Sequence, residues 1–190
     1  MTQLDAIHKG QLLEDEFFHV LDQELRAKLR ESMEREEAKQ QLSAATGFQD
    51  PELLEHLVDS GFEVATLAAL ALAPAVLVAW ADGWVSPTER KAVLNAAIER
   101  GFKNQPIALE LIKAWLKKRP APSLGRVWKA YAQAVQNSIP PSLSSVLMRE
   151  IERQATIVAQ ASGWTFGLGK VSKQERAVLD EIASLLNQQD

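Results

Sequence analysis

At 190 residues and 46% hydrophobic content, the chain can bury a real core as one domain, with or without an arm, and its composition excludes a disordered polymer. It has no cysteine, which removes disulfides, thiolate metal ligands and cysteine nucleophiles together and fits a reducing compartment, with the cytoplasm as the default expectation. The net charge of -4 is unevenly spread: residues 1–85 carry 16 acids against 6 bases and residues 86–137 carry 10 bases against 3 acids. That separation suits either docking to a charged partner or separately solvated helix faces.

Met1 to Gln11 is polar and reads as no N-terminal signal. Residues 10–44 are predicted to form one long helix, because Leu12, Leu13, Phe17, Val20, Leu21, Leu25, Leu29 and Met33 recur at steps of about three and four. The apolar stripe fades into charge over Glu31 to Gln41, so the far end is expected to be exposed or covered by another chain. Gly47 stops the helix, which sets an N-terminal arm over 1–47 apart from a helical domain over 48–190. Asp50-Pro51-Glu52 then gives an N-cap with proline at the first helical position, and a short helix runs from Pro51 to Asp59.

Val64 to Ala81 is 18 uncharged residues, at the lower edge of what spans a bilayer. It is mostly alanine, contains Thr66 and Pro74, is flanked by Glu63 and Asp82 and has no basic anchor nearby. A buried central helix over about 63–81, bent at Pro74, is therefore expected, with no integral membrane span. Further helices are predicted over Pro87–Arg100, Pro106–Lys118, a segment marked by Leu124, Val127, Trp128, Tyr131 and Val135, Pro141–Ala161, and Lys173 to about Asn187. No segment alternates with period two, so the fold class is all-α.

Two stretches repeat 80 residues apart. Ala75, Val78, Ala79, Ala81, Gly83 and Trp84 recur as Ala155, Val158, Ala159, Ala161, Gly163 and Trp164. After six extra residues, Val171-Ser172-Lys173-Gln174-Glu175-Arg176 answers Val85-Ser86-Pro87-Thr88-Glu89-Arg90. Each Ser-x-x-Glu is a capping box, in which the serine oxygen accepts from the N3 amide and the glutamate returns to the serine amide. The glycines are expected to end their helices in a left-handed conformation, and Trp84 and Trp164 to anchor the core beside the turn.

The junction Ala81-Asp82-Gly83-Trp84-Val85-Ser86-Pro87-Thr88-Glu89-Arg90, echoed later in the chain, resembles the tellurite-resistance TerB-like family over about residues 64–187. That resemblance implies a helical bundle of two related halves and a role in stress response or membrane-associated complexes. It also implies a divalent-cation site formed by acidic residues at the Asp-Gly turn and the capped helix, here Asp82, Glu89 and Glu175. Ser162 stands where the second copy would carry the aspartate. At the N-terminus, Glu16-Phe17-Phe18-His19-Val20-Leu21-Asp22-Gln23-Glu24-Leu25 is similar to the zeta-type inhibitor subunit of bacterial ATP synthase.

Other motifs fail on spacing. An EF-hand read through Asp82 and Glu89 would need Val78 and Trp80 as ligands, and Gly163 to Lys170 lacks the phosphate-loop spacing and its Ser or Thr. His8, His19 and His56 form no zinc pattern, and no Gly-x-Ser-x-Gly elbow occurs. The basic stretch Lys113 to Lys129 contains Trp115 and Trp128, but helical periodicity puts both with core residues, so no nucleic-acid partner is expected. Three readings stand. The first is a non-enzymatic TerB-like scaffold or stress-response sensor, the second a carboxylate-based enzyme around Asp82, Glu89 and Glu175. The third is an adaptor that pairs with itself or a protein partner through residues 10–44.

Overall fold

A computed structural model describes residues 3–162 and 171–186, with side chains described over 23–161 and 171–184. The described residues are helical, with no strand among them. The chain divides into two units, Met1–Gln41 and Leu42–Asp190. The break falls inside the first helix, α1 (Gln3–Thr46), and not at Gly47, because Leu42 is buried and Ser43 Oγ donates to the Phe48 carbonyl at 2.7 Å. In the first unit, Leu25, Leu29 and Met33 are 58%, 63% and 65% exposed. The earlier members of the predicted stripe, Leu12 to Leu21, lie outside the described side chains.

The second unit is built as its start and stop signals require. Helix α2 (Pro51–Asp59) opens on Asp50, whose Oδ1 accepts from the amides of Glu52 and Leu53 at 3.0 and 3.4 Å. The central apolar run is broken more deeply than a bent helix. A short α3 (Val64–Leu67) passes into a 3-10 stretch, Ala68–Leu72, and α4 restarts as Ala73–Ala79. Pro74 has no amide proton and its ring crowds the carbonyl four residues back, at Leu70. That carbonyl instead accepts from the Ala73 amide, three residues on, which tightens the preceding turn into 3-10 form. Five residues of α4, Ala73, Ala75, Val76, Val78 and Ala79, are buried to 2% exposure or less.

Four helices follow the junction after α4: α5 (Pro87–Glu99), α6 (Pro106–Lys117), α7 (Ser123–Ser138) and α8 (Pro141–Ser162). The last, α9, spans Lys173–Leu186. Three of these begin at a proline, the residue whose missing amide costs nothing in the first turn. Gly101 has φ 81° and ends α5, and a 3-10 turn over Phe102–Asn104 that periodicity did not reveal leads into α6.

The predicted repeat maps onto the packing. Its units, α4–α5 and α8–α9, form the centre of the bundle: α4 packs most extensively on α8, α5 also lies on α8, and α9 contacts both α4 and α8. Of the small residues shared by the two copies, Ala75, Val78, Ala79, Ala155, Val158 and Ala159 are buried to 2% exposure or less, while Ala81 and Ala161 are half-buried. Helix α6 covers α3 and the 3-10 stretch, and α7 covers α2 and α4. Edge-on aromatic pairs tie the outer layer to the core, Phe62 with Trp115 at 6.1 Å and Phe48 with Tyr131 at 5.9 Å between ring centroids. No single helix among the described residues is long and apolar enough to cross a membrane. The pair formed by Pro51–Asp59 and Val64–Ala79 passes that test only together and is bent by 88°.

Candidate functional site

The junctions that follow α4 and α8 place the three predicted acidic residues. At the first, Gly83 has φ 99°, a backbone conformation that suits glycine, and the chain reverses there. Asp82 is exposed, and its Oδ1 accepts from the Trp84 amide at 3.2 Å, an Asx turn that holds the reversal. Trp84 is not a core anchor: it is 51% exposed, because the turn that brings Ser86 inward carries the residue after Gly83 outward. Gly163 and Trp164, their counterparts, lie outside the described residues, as does the Gly163–Lys170 segment.

Both capping boxes form. The Ser86 amide donates to Glu89 Oε2 at 2.7 Å and the Glu89 amide to Ser86 Oγ at 3.2 Å. In the second copy the Ser172 amide donates to Glu175 Oε2 at 2.6 Å and the Glu175 amide to Ser172 Oγ at 3.1 Å. Both glutamates are buried, at 1% and 2% exposure. A carboxylate in each position also faces the positive end of its helix. The sequence repeat is therefore a structural repeat in which one oxygen of each glutamate is committed to a backbone amide.

The two boxes share an electrostatic environment. Burial pushes the Glu89 carboxyl above its ordinary value. The hydrogen bonds from Ser86 oppose that rise, and the negative charges of Asp82 and Glu175 add to it. Glu89 Oε1 is buried with no hydrogen-bond partner among the described residues. The fold thus brings Asp82, Glu89 and Glu175 into one another's fields. It does not make them a ligand set, since no three His, Asp or Glu side chains among the described residues are arranged to hold a metal ion. One oxygen of each acid is already used, by the Trp84, Ser86 and Ser172 amides respectively.

Two partners of the first junction escaped sequence reasoning. Trp80 Nε1 donates to the Trp115 carbonyl at 2.8 Å, and Arg90 Nη2 donates to the Leu116 carbonyl at 2.7 Å. Both carbonyls belong to the last turn of α6, where they have no intrahelical donor and where a cation meets the negative end of the helix. The repeated Glu-Arg pair was visible in the sequence, but its target 26 residues away was not. Trp128, the tryptophan of the basic stretch, is 2% exposed, so its ring is no stacking platform for a base.

Comparison of the chain with family models, with curated proteins and with solved structures finds no match in any of the three.

Proposed function

We propose that the chain is a non-enzymatic helical scaffold module that associates with a second copy of itself through α1. The supporting observation is the exposure of Leu25, Leu29 and Met33, three large apolar side chains four residues apart on one helix, each more than half open to solvent. Among the described residues, the first unit holds no element besides α1. Helices draw most of their stability from burying an apolar face, so a long helix with a bare stripe gains from a matching stripe on another chain. The capping boxes support the non-enzymatic half of this reading. An acid or base must come within hydrogen-bond reach of its substrate, and Glu89 and Glu175 are 1% and 2% exposed.

The two related helix pairs and the Asp82-Gly83-Trp84-Val85-Ser86 junction support placing this scaffold with TerB-like stress-response modules. Sedimentation velocity on the full chain and on Leu25→Glu/Leu29→Glu tests the association. The native chain is expected to run as a dimer at about 50 μM and the variant as a folded monomer, on the scale of self-association driven by a few buried apolar side chains. A native chain that stays monomeric at that concentration removes the proposal.

A further inference from the structure

A cavity of about 510 Å³ lies in the second unit where α4, α7 and α9 meet. Its apolar wall is made by Leu77, Trp128, Val178 and Ile182. The space exists because two lining positions are small: Ala81 in the turn after α4 and Gly125 in the first turn of α7. A Cβ built on Gly125 would meet only the Leu77 Cδ1 atom, at 3.9 Å.

The rim is charged in one sense. Arg119, Arg126 and Lys129 line the cavity against a single carboxylate, Glu181, and all four residues are exposed. The sequence creates this asymmetry by geometry. Arg119 precedes the rigid Pro120-Ala121-Pro122 break, and Arg126 and Lys129 stand three residues apart on one face of α7. None of the three cations has a hydrogen bond or ion pair among the described residues, although Arg126 also lines a smaller cavity of about 300 Å³ with His56 and Asp59. The start of α7 has no side-chain cap, so its positive end adds to the same field.

An apolar wall beneath unpaired guanidinium and ammonium groups has a definite chemical complement. Water is poorly held by Leu, Val, Ile and Trp, and the arginine fork matches a carboxylate or a phosphate. Ligand sites of this size combine a mainly apolar lining with a few convergent polar groups. We infer that this cavity binds a small amphiphile: a carboxylate or phosphate head held by Arg119, Arg126 and Lys129, with an apolar body against Leu77, Trp128, Val178 and Ile182. This inference does not rest on the association through α1.

Calorimetric titration of the full chain with octanoate, octyl phosphate, 1-octanol and acetate tests it. Saturable one-to-one binding is expected for octanoate or octyl phosphate, the tighter of the two identifying the head group. Acetate, lacking the body, and 1-octanol, lacking the charge, should each bind at least tenfold more weakly. Arg119→Gln/Lys129→Gln alters exposed residues specific to this cavity and should weaken the anionic amphiphile at least tenfold. Gly125→Leu should fill the cavity and abolish binding with the helical circular-dichroism signal unchanged. The inference is overturned if neither anion saturates by about 5 mM, which corresponds to less than about 3 kcal/mol of binding. It is also overturned if 1-octanol binds as tightly as octanoate, or if the double variant binds as the native chain does. Should Gly125→Leu fail to fold, the Arg119→Gln/Lys129→Gln result decides alone.

Discussion

The two copies of the helix-turn-helix repeat keep the same cap and differ in what surrounds it. Ser86–Glu89 and Ser172–Glu175 make the same pair of reciprocal hydrogen bonds, within about 0.1 Å of each other. The next residue diverges. Arg90 is half-buried and holds the Leu116 carbonyl at the end of α6, whereas Arg176 is exposed. The turn before the cap diverges as well, with Asp82 in the first copy and Ser162 in the second. What the described residues of the two copies share is the capping box, and the Arg90 bond of the first copy goes with α6, which packs on that copy's α4 and α5.

The largest expected effect tests the shared part. Glu89→Ala leaves the buried Ser86 amide without an acceptor and should cost about 2 kcal/mol in urea denaturation, the usual penalty for an orphaned buried donor together with a lost cap. Glu175→Ala should cost a similar amount through the Ser172 amide. Glu89→Gln keeps an acceptor oxygen for Ser86 and removes a charge that burial, Asp82 and Glu175 all disfavour, so it should lose far less. If Glu89→Ala unfolded at the native urea midpoint, the cap would not be what maintains the repeat.

Much of this was legible in the sequence, and what was not has a common cause. Asp50, the prolines at 51, 87, 106 and 141, and both Ser-x-x-Glu boxes act on backbone within three residues, so reading them in order gave the helix starts. The spacing within Pro106–Lys118 points Ile107, Ile112 and Leu116 inward alike; the last two are buried but Ile107 is 58% exposed, while Val127 and Trp128 of α7 lie in the core. The outward Trp84 was not legible, because its exposure depends on how the turn at Gly83 directs the chain. Nor were the bonds from Trp80 and Arg90 to α6, which join residues 35 and 26 positions apart. Proline at 74 signalled a disturbance, but the strength of the break followed from the 3-10 turn ahead of it.

The divergent part of the comparison predicts a smaller and asymmetric effect. Arg90→Ala removes a charge-assisted hydrogen bond of 2.7 Å to a helix-terminal carbonyl and should cost about 1.5 kcal/mol. Arg176→Ala changes an exposed side chain and should stay within about 0.5 kcal/mol of the native chain. Equal losses at the two positions, measured by urea denaturation under one buffer, would mean that the second arginine has an equivalent role and that α6 is not the source of the asymmetry.

The smallest effect concerns Asp82, and it appears as a slope in pH. The Glu89 carboxyl is raised in the folded chain, chiefly by burial, so between its ordinary value of 4.5 and its folded value the native state binds more protons than the unfolded state. Stability from this group is therefore complete below about pH 4.5 and is lost as pH rises through the folded value. Asp82 contributes to the rise through its negative charge, while its Oδ1 separately supports the turn at Trp84. Asp82→Asn keeps an oxygen that can accept from the Trp84 amide and removes the charge. It should make the decline in urea midpoint between pH 4.5 and 7 shallower, and Glu89→Gln should remove the Glu89 part of that decline altogether. Adding Asp82→Asn to Glu89→Gln should then change the slope no further, because the charge acts through Glu89. A slope that Asp82→Asn altered equally in the presence and absence of Glu89 would separate the aspartate from the buried pair and return it to the turn alone.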